Sequence, residues 1–157
     1  MRAKVLRSVI CFPKSREPGT CHNGPLGSIK HCINSRKEIM TVLLIDDEPE
    51  ICFLMKNMLK RKGIICDLAH SLAQGRERLG KGSYSAVFLD IHLPDGKGYQ
   101  LIGEIRQRQP GAQVIAISAV DAEKENAADR GADLFIAKPF DKSSILGGLQ
   151  SLGITTD

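Results

Sequence analysis

From Thr41 onward the hydrophobic positions alternate between two periods. Val42-Leu43-Leu44-Ile45 is an unbroken apolar run, the pattern of a strand buried on both faces of a parallel sheet. Ile51, Leu54, Met55, Met58 and Leu59 then recur at three-and-four spacing, which predicts a helix with one buried stripe, ended by Gly63. The alternation repeats as a strand over 64–69, an N-cap at Ser71, a helix over 72–79 and a strand over 85–89. A loop rich in Pro94, Gly96 and Gly98 leads to a helix over 99–108 that Pro110-Gly111 stops. A strand over 114–117 follows, then an alanine-rich helix capped by Asp121 and ending at Gly131. A strand over 134–137 and a helix capped by Asp141, running through Leu149, complete the series. Five such units in about 115 residues predict an α/β fold: a doubly wound, five-stranded parallel sheet with helices on both faces. A barrel typically needs about 250 residues.

Residues 1–39 break this pattern. Pro13, Pro18, Gly19, Gly24, Pro25 and Gly27 interrupt them, and neither period persists, so the segment reads as a disordered leader. A start upstream of Met40 taken in its place would also explain it, since Met40 stands directly before the first strand. The folded unit is expected over 40–152, with 153–157 as a tail. The leader holds eight Lys or Arg against two acids, whereas residues 40–157 hold 14 bases and 16 acids. The folded part is therefore mildly acidic despite the overall charge of +4, and apart from Phe12 the basic leader lacks aromatics for stacking on bases. We expect no direct nucleic-acid partner. No apolar run approaches the roughly 20 residues that span a bilayer, so no membrane partner is expected either. Five unpaired-looking cysteines suggest a reducing, cytoplasmic setting, and the Cys21-His22 and His31-Cys32 dipeptides match no usual zinc spacing.

In a doubly wound sheet, ligands bind beyond the carboxyl ends of the strands. Those ends carry Asp46-Asp47-Glu48, Asp90, Ser118 and Lys138-Pro139, each directly after an apolar run. Acids gathered at one site repel one another unless a cation compensates. Mg²⁺, which prefers oxygen ligands, would do so and would also ease the approach of a phosphate dianion to Asp90. Lys138 and Ser118 offer a positive charge and a hydroxyl donor for phosphoryl oxygens. Nucleophile, metal, cation and donor are the parts that phosphoryl transfer requires.

Over nearly all of residues 40–150 the chain resembles the receiver domain of bacterial two-component response regulators. It is similar in type to the stand-alone chemotaxis regulator. The matching words are LLIDDEPEI (43–51), VFLDIHLPDGKG (87–98), VIAISA (114–119) and IAKPF (136–140). The resemblance implies a flavodoxin-like strand order of 2-1-3-4-5. It implies Asp90 as phospho-acceptor, Asp47 as a direct Mg²⁺ ligand, Asp46 acting through a coordinated water, and His92 contributing its main-chain carbonyl. Ser118 and Lys138 would contact the phosphoryl group, and Lys138-Pro139 would be a cis peptide. Ser118 and Phe135 would form the switch, with Phe135 standing where the family often has tyrosine.

The ordinary alternatives are helix capping for Asp46 and Asp47, a turn for Asp90, a strand-end hydroxyl for Ser118 and a core aromatic for Phe135. Only their combination points to a site. His70 falls in a surface loop and needs no role. Val120, beside Ser118, cannot orient a hydrolytic water, which predicts slow to moderate self-dephosphorylation. The expected function is a phosphorylation-controlled binding module, a monomer or weak dimer, whose chemistry is confined to its own phosphorylation and dephosphorylation. It would take the phosphoryl group from a sensor histidine kinase or phosphotransfer protein, and its fourth-helix and fifth-strand surface would bind a downstream protein. A phosphorelay intermediate and an unphosphorylated receiver-like scaffold are the alternatives. A phosphoaspartate-forming phosphatase would need an acid where His92 stands, and a flavin site would need a glycine cradle where Asp46-Asp47 stand.

Overall fold

Every element expected from the hydrophobic periodicity forms, within two residues at either end. The computed structural model of the protein describes residues 9–11 and 39–154. In chain order the elements are β1 (Val9–Cys11), β2 (Thr41–Ile45), α1 (Pro49–Arg61), β3 (Ile65–Ala69) and α2 (Leu72–Lys81). Next come β4 (Ala86–Asp90), the short strands β5 (His92–Leu93) and β6 (Gly96–Lys97), and α3 (Tyr99–Arg108). β7 (Gln113–Ser118), α4 (Glu123–Asp129), β8 (Leu134–Ala137) and α5 (Lys142–Ser151) follow.

Five parallel strands run in the order β3-β2-β4-β7-β8, which is the expected 2-1-3-4-5 arrangement. The register is continuous: Ile45 lies opposite both Ala69 and Leu89, and Asp90 lies opposite Ile117. The two-residue alternation of each strand sends side chains to both faces. Leu43, Ile45, Val87, Leu89, Val114, Ala116 and Phe135 pack with Leu72, Leu101, Ile102, Ile105 and Ala127 of α2, α3 and α4. Val42, Leu44, Phe88, Ile115, Ile117, Leu134 and Ile136 pack with Met55, Leu59, Ile145 and Leu149 of α1 and α5. This explains the unbroken apolar runs: both sheet faces are covered, so neither set of alternate positions is free to be polar.

Four local expectations meet differences. Val9–Cys11, inside the segment expected to be disordered, is a strand that adds antiparallel to β8, making the sheet six-stranded. The rest of the leader, including the Cys-His dipeptides, lies outside the described residues. Asp121 does not cap α4, which starts two residues later without a side-chain cap. The Val120 and Asp121 carbonyls close that turn by accepting the amides of Glu123 and Lys124 at 3.0 and 3.1 Å. The expected tail at 153–157 begins inside the core. Gly153 adopts φ +74°, Ile154 N–H donates to the Leu149 carbonyl at 2.9 Å, and Ile154 is buried beside α5. Finally, α2 has two capping groups. Ser71 accepts the Gln74 amide at 3.2 Å as expected, while Asp95, between β5 and β6, accepts the Leu72 and Ala73 amides at 2.8 and 3.0 Å. Those two bonds hold the Asp95 carboxyl below its ordinary pKa and fasten the β5-β6 hairpin to the helix.

Candidate phosphoryl site

The site begins where β2 stops. Asp46 still belongs to the sheet by its backbone, donating its N–H to the Ala69 carbonyl at 3.0 Å. Its side chain is fully buried and turns the chain into α1 by accepting the Glu48 amide at 2.8 Å. Asp90, 4% exposed, closes β4, and its Oδ1 accepts the His92 amide at 2.8 Å. Gly98 lets the β5-β6 hairpin fold back onto this strand end, because a Cβ there would stand 2.3 Å from the Asp90 carbonyl oxygen. Lys138 follows β8, and its N–H donates to the Ser118 carbonyl at 2.8 Å.

These elements deliver one ammonium to three carboxylates. Lys138 Nζ lies 2.7 Å from Asp90 Oδ2, 2.7 Å from Glu48 Oε1 and 3.0 Å from Asp46 Oδ2. Burial alone would lower the Lys138 pKa, but the bonds to Asp90, Glu48 and Asp46 outweigh it and hold the group well above its ordinary value. For Asp46 the balance is reversed. Burial raises its pKa, and the Glu48 amide and Lys138 offset this in part.

Asp46 Oδ2 is buried without a properly aligned hydrogen bond, although the Lys138 ammonium is close. Asp46, Glu48 and Asp90 each offer an oxygen within 4.8 Å of the others. A set of hard oxygen donors with one unsatisfied buried lone pair and an excess of negative charge suits a divalent cation, so this cluster can coordinate a divalent metal.

The other expected residues are placed as follows. Asp47 is exposed, with no hydrogen bond or ion pair among the described residues. Glu48, grouped with the strand-end acids by sequence but given no ligand role there, joins the converging carboxylates. Ser118 is buried at the end of β7, and its Oγ accepts the Val120 amide at 3.1 Å, leaving the hydroxyl proton available for donation. Lys138-Pro139 is cis. Phe135 is buried in the core on the α2-α3-α4 side. His70 is not idle: its Nδ1 lies 3.0 Å from the Asp46 carbonyl oxygen and 3.7 Å from Cys52 Sγ, so it braces the β2-α1 turn. Sequence offered no signal for this, because the contact joins positions 24 apart through the sheet. The His92 side chain meets Lys97 at 2.8 Å and Glu123 at 3.5 Å, beside the mouth of the site.

The family model for the response regulator receiver domain matches residues 42–150. The chain belongs to that family. Domains of this family catalyse only their own phosphorylation and dephosphorylation. Among curated relatives, the transcriptional regulatory protein DltR of Streptococcus agalactiae is 32% identical over 113 residues, covering 71% of this chain and 50% of that protein. The response regulator protein PilR of Pseudomonas aeruginosa is 34% identical over 115 residues, 72% of this chain and 25% of its own length. The receiver thus spans half or less of these relatives. Among solved structures, a response regulator of Burkholderia pseudomallei with a phosphorylated aspartic acid, calcium ion and citrate superposes with TM-score 0.67 at 28% identity. That match covers 71% of this chain and 67% of the other. The regulator TrrA of Thermotoga maritima, in complex with Mg²⁺ and BeF, superposes with TM-score 0.67 at 28% identity, covering 73% and 99%. No described helix of this receiver is long and apolar enough to cross a membrane.

Proposed function

We propose that this receiver takes a phosphoryl group on Asp90 from a histidine kinase or phosphotransfer protein in the cytoplasm and switches protein binding at the α4-β8 surface. The observation that carries this reading is the convergence of Asp46, Glu48 and Lys138 on a nearly buried Asp90. A carboxylate oxygen of Asp90 attacks phosphorus, the P–N bond to the donor histidine breaks, and the imidazole leaves with the electron pair. Bound Mg²⁺ supplies charge neutralisation for the entering phosphoryl oxygens. Asp46, Glu48 and Asp90 would hold it, and the resemblance adds Asp47 and the His92 carbonyl.

Lys138 leaves the carboxylates for a phosphoryl oxygen, and Ser118 donates its hydroxyl to another. Its shift toward the phosphoryl group draws on the β7-α4 loop and on the space around Phe135. Beside the site, Phe53 (71% exposed) and Leu54 (61%) border a groove of about 330 Å³ with Met58, Phe140 and Ile145, an apolar surface on which a donor protein can seat.

The test is incubation of the protein with acetyl phosphate and Mg²⁺. The expected product is a single base-labile phosphoryl adduct, mapped by mass to the peptide containing Asp90 and absent when a chelator replaces the metal. No adduct, or an adduct elsewhere, defeats the proposal. Val120 is 44% exposed at the mouth of the loop and apolar, so it holds no water for hydrolysis. Val120→Glu should therefore shorten the lifetime of the phosphorylated form by about tenfold, less than the roughly hundredfold or more of an optimally positioned general base. An unchanged or longer lifetime, followed by loss of the adduct mass, would count against that role.

A further inference from the structure

β8 is one of the two outermost parallel strands, with β3 at the other side, and its four residues Leu134, Phe135, Ile136 and Ala137 are all uncharged and apolar. An edge of that kind is a template for any extended chain. It is not left open, because Val9–Cys11 runs antiparallel along it with Val9 opposite Ile136, Ile10 opposite Phe135 and Cys11 opposite Leu134. The Lys138 N–H turns into the sheet, toward the Ser118 carbonyl at 2.8 Å. Strand alternation then aims the Ile136 amide the same way and the Phe135 N–H and C=O outward, at Ile10.

β1 is three residues long, and 29 residues separate it from β2. So short a ladder gains few backbone bonds against the entropy of closing so long a connection, which makes it displaceable. Val9–Phe12 is also the longest apolar run in residues 1–38. The longest apolar run of the leader therefore lies on the all-apolar edge of the sheet, whereas the opposite edge, β3, carries Asp67.

We infer that Val9–Cys11 is a tethered cap on a strand-accepting edge: the leader occupies β8, and another extended apolar segment pairs with that edge only by displacing it. The inference does not depend on phosphorylation of Asp90, and its test uses the unphosphorylated full chain.

Amide hydrogen exchange at Phe135 is the readout. Ile10→Pro removes the amide that faces Phe135 and should speed exchange there by about tenfold or more, while Leu44, Phe88 and Ile115 in the inner strands stay unchanged. A peptide of residues 5–14, added under reducing conditions, should slow Phe135 exchange again in Ile10→Pro. Ile10→Gly should give the same pattern more weakly, and Thr20→Pro should give none. Unchanged Phe135 exchange in Ile10→Pro would overturn the cap, as would equal acceleration in Thr20→Pro. So would acceleration spreading to Leu44 in both Ile10 variants, since β1 would then be part of the core. Loss of wild-type protection on dilution would place another copy's leader on the edge and overturn the intramolecular assignment.

Discussion

Asp90→Asn is expected to take up no phosphoryl group from acetyl phosphate and Mg²⁺. Removal of a covalent nucleophile should lower incorporation by roughly a hundredfold or more. Such a loss is informative only if the fold survives, and the local geometry says that it does. Asparagine is isosteric with aspartate, so its carbonyl oxygen can keep the His92 amide that Asp90 Oδ1 accepts at 2.8 Å. Lys138 retains Asp46 and Glu48 as partners, and the site loses one of two buried negative charges. The variant should therefore melt at or slightly above the wild-type temperature in chelator. Incorporation equal to wild type would mean that another group, such as neighbouring Asp46 or Glu48, is the nucleophile. Loss accompanied by a collapsed melting temperature would assign Asp90 a structural role instead.

The site was legible where its residues directly follow buried strands. Asp46, Asp90, Ser118 and Lys138 could be placed from the apolar runs before them, because a parallel sheet brings its carboxyl ends together. The approach of Glu48 to Lys138 was not legible. It turns on the Asp46 side chain accepting the Glu48 amide, a local turn that swings adjacent acids in different directions and leaves no trace in hydrophobic periodicity. Helix capping shows the same division. Ser71 and Asp141 cap the helices that follow them, whereas Asp121 does not and Asp95 caps α2 from a hairpin 22 or more residues away. Proximity in sequence decides the first two, and tertiary packing decides the others. β1 escaped notice because three residues are too few to show a period.

Lys138→Met should be the most destabilising substitution at the site. Methionine keeps the unbranched stem and most of its packing, so the change isolates the charge. Lys138 is 12% exposed and pairs with fully buried Asp46 and nearly buried Asp90, and breaking such a pair typically costs about 3–5 kcal/mol. The lower end, about 3 kcal/mol, is expected here because Glu48 is half-exposed and can turn to water, and Asp46 can take up a proton. The pH dependence follows from Asp46. Its folded pKa is raised above 3.8, so its ionisation opposes folding at neutral pH, and that penalty fades as pH falls through the folded value. Losing Lys138 raises this pKa further. The raised pKa of Lys138 contributes stability fully present below its unfolded value of 10.5, so it adds no slope in the acidic range. The gap between variant and wild type in chelator should thus be widest near neutrality and narrow toward mild acid. Mg²⁺ supplies the missing positive charge, and with no ammonium competing for the same oxygens its affinity should tighten by about tenfold, restoring much of the lost stability. Melting curves with chelator and with millimolar Mg²⁺, at several pH values, measure all three effects. Equal melting temperatures in chelator at neutral pH would show that Lys138 is not the counterion of the buried acids. A smaller Mg²⁺ response in the variant than in wild type would show that the ammonium and the metal do not share these carboxylates.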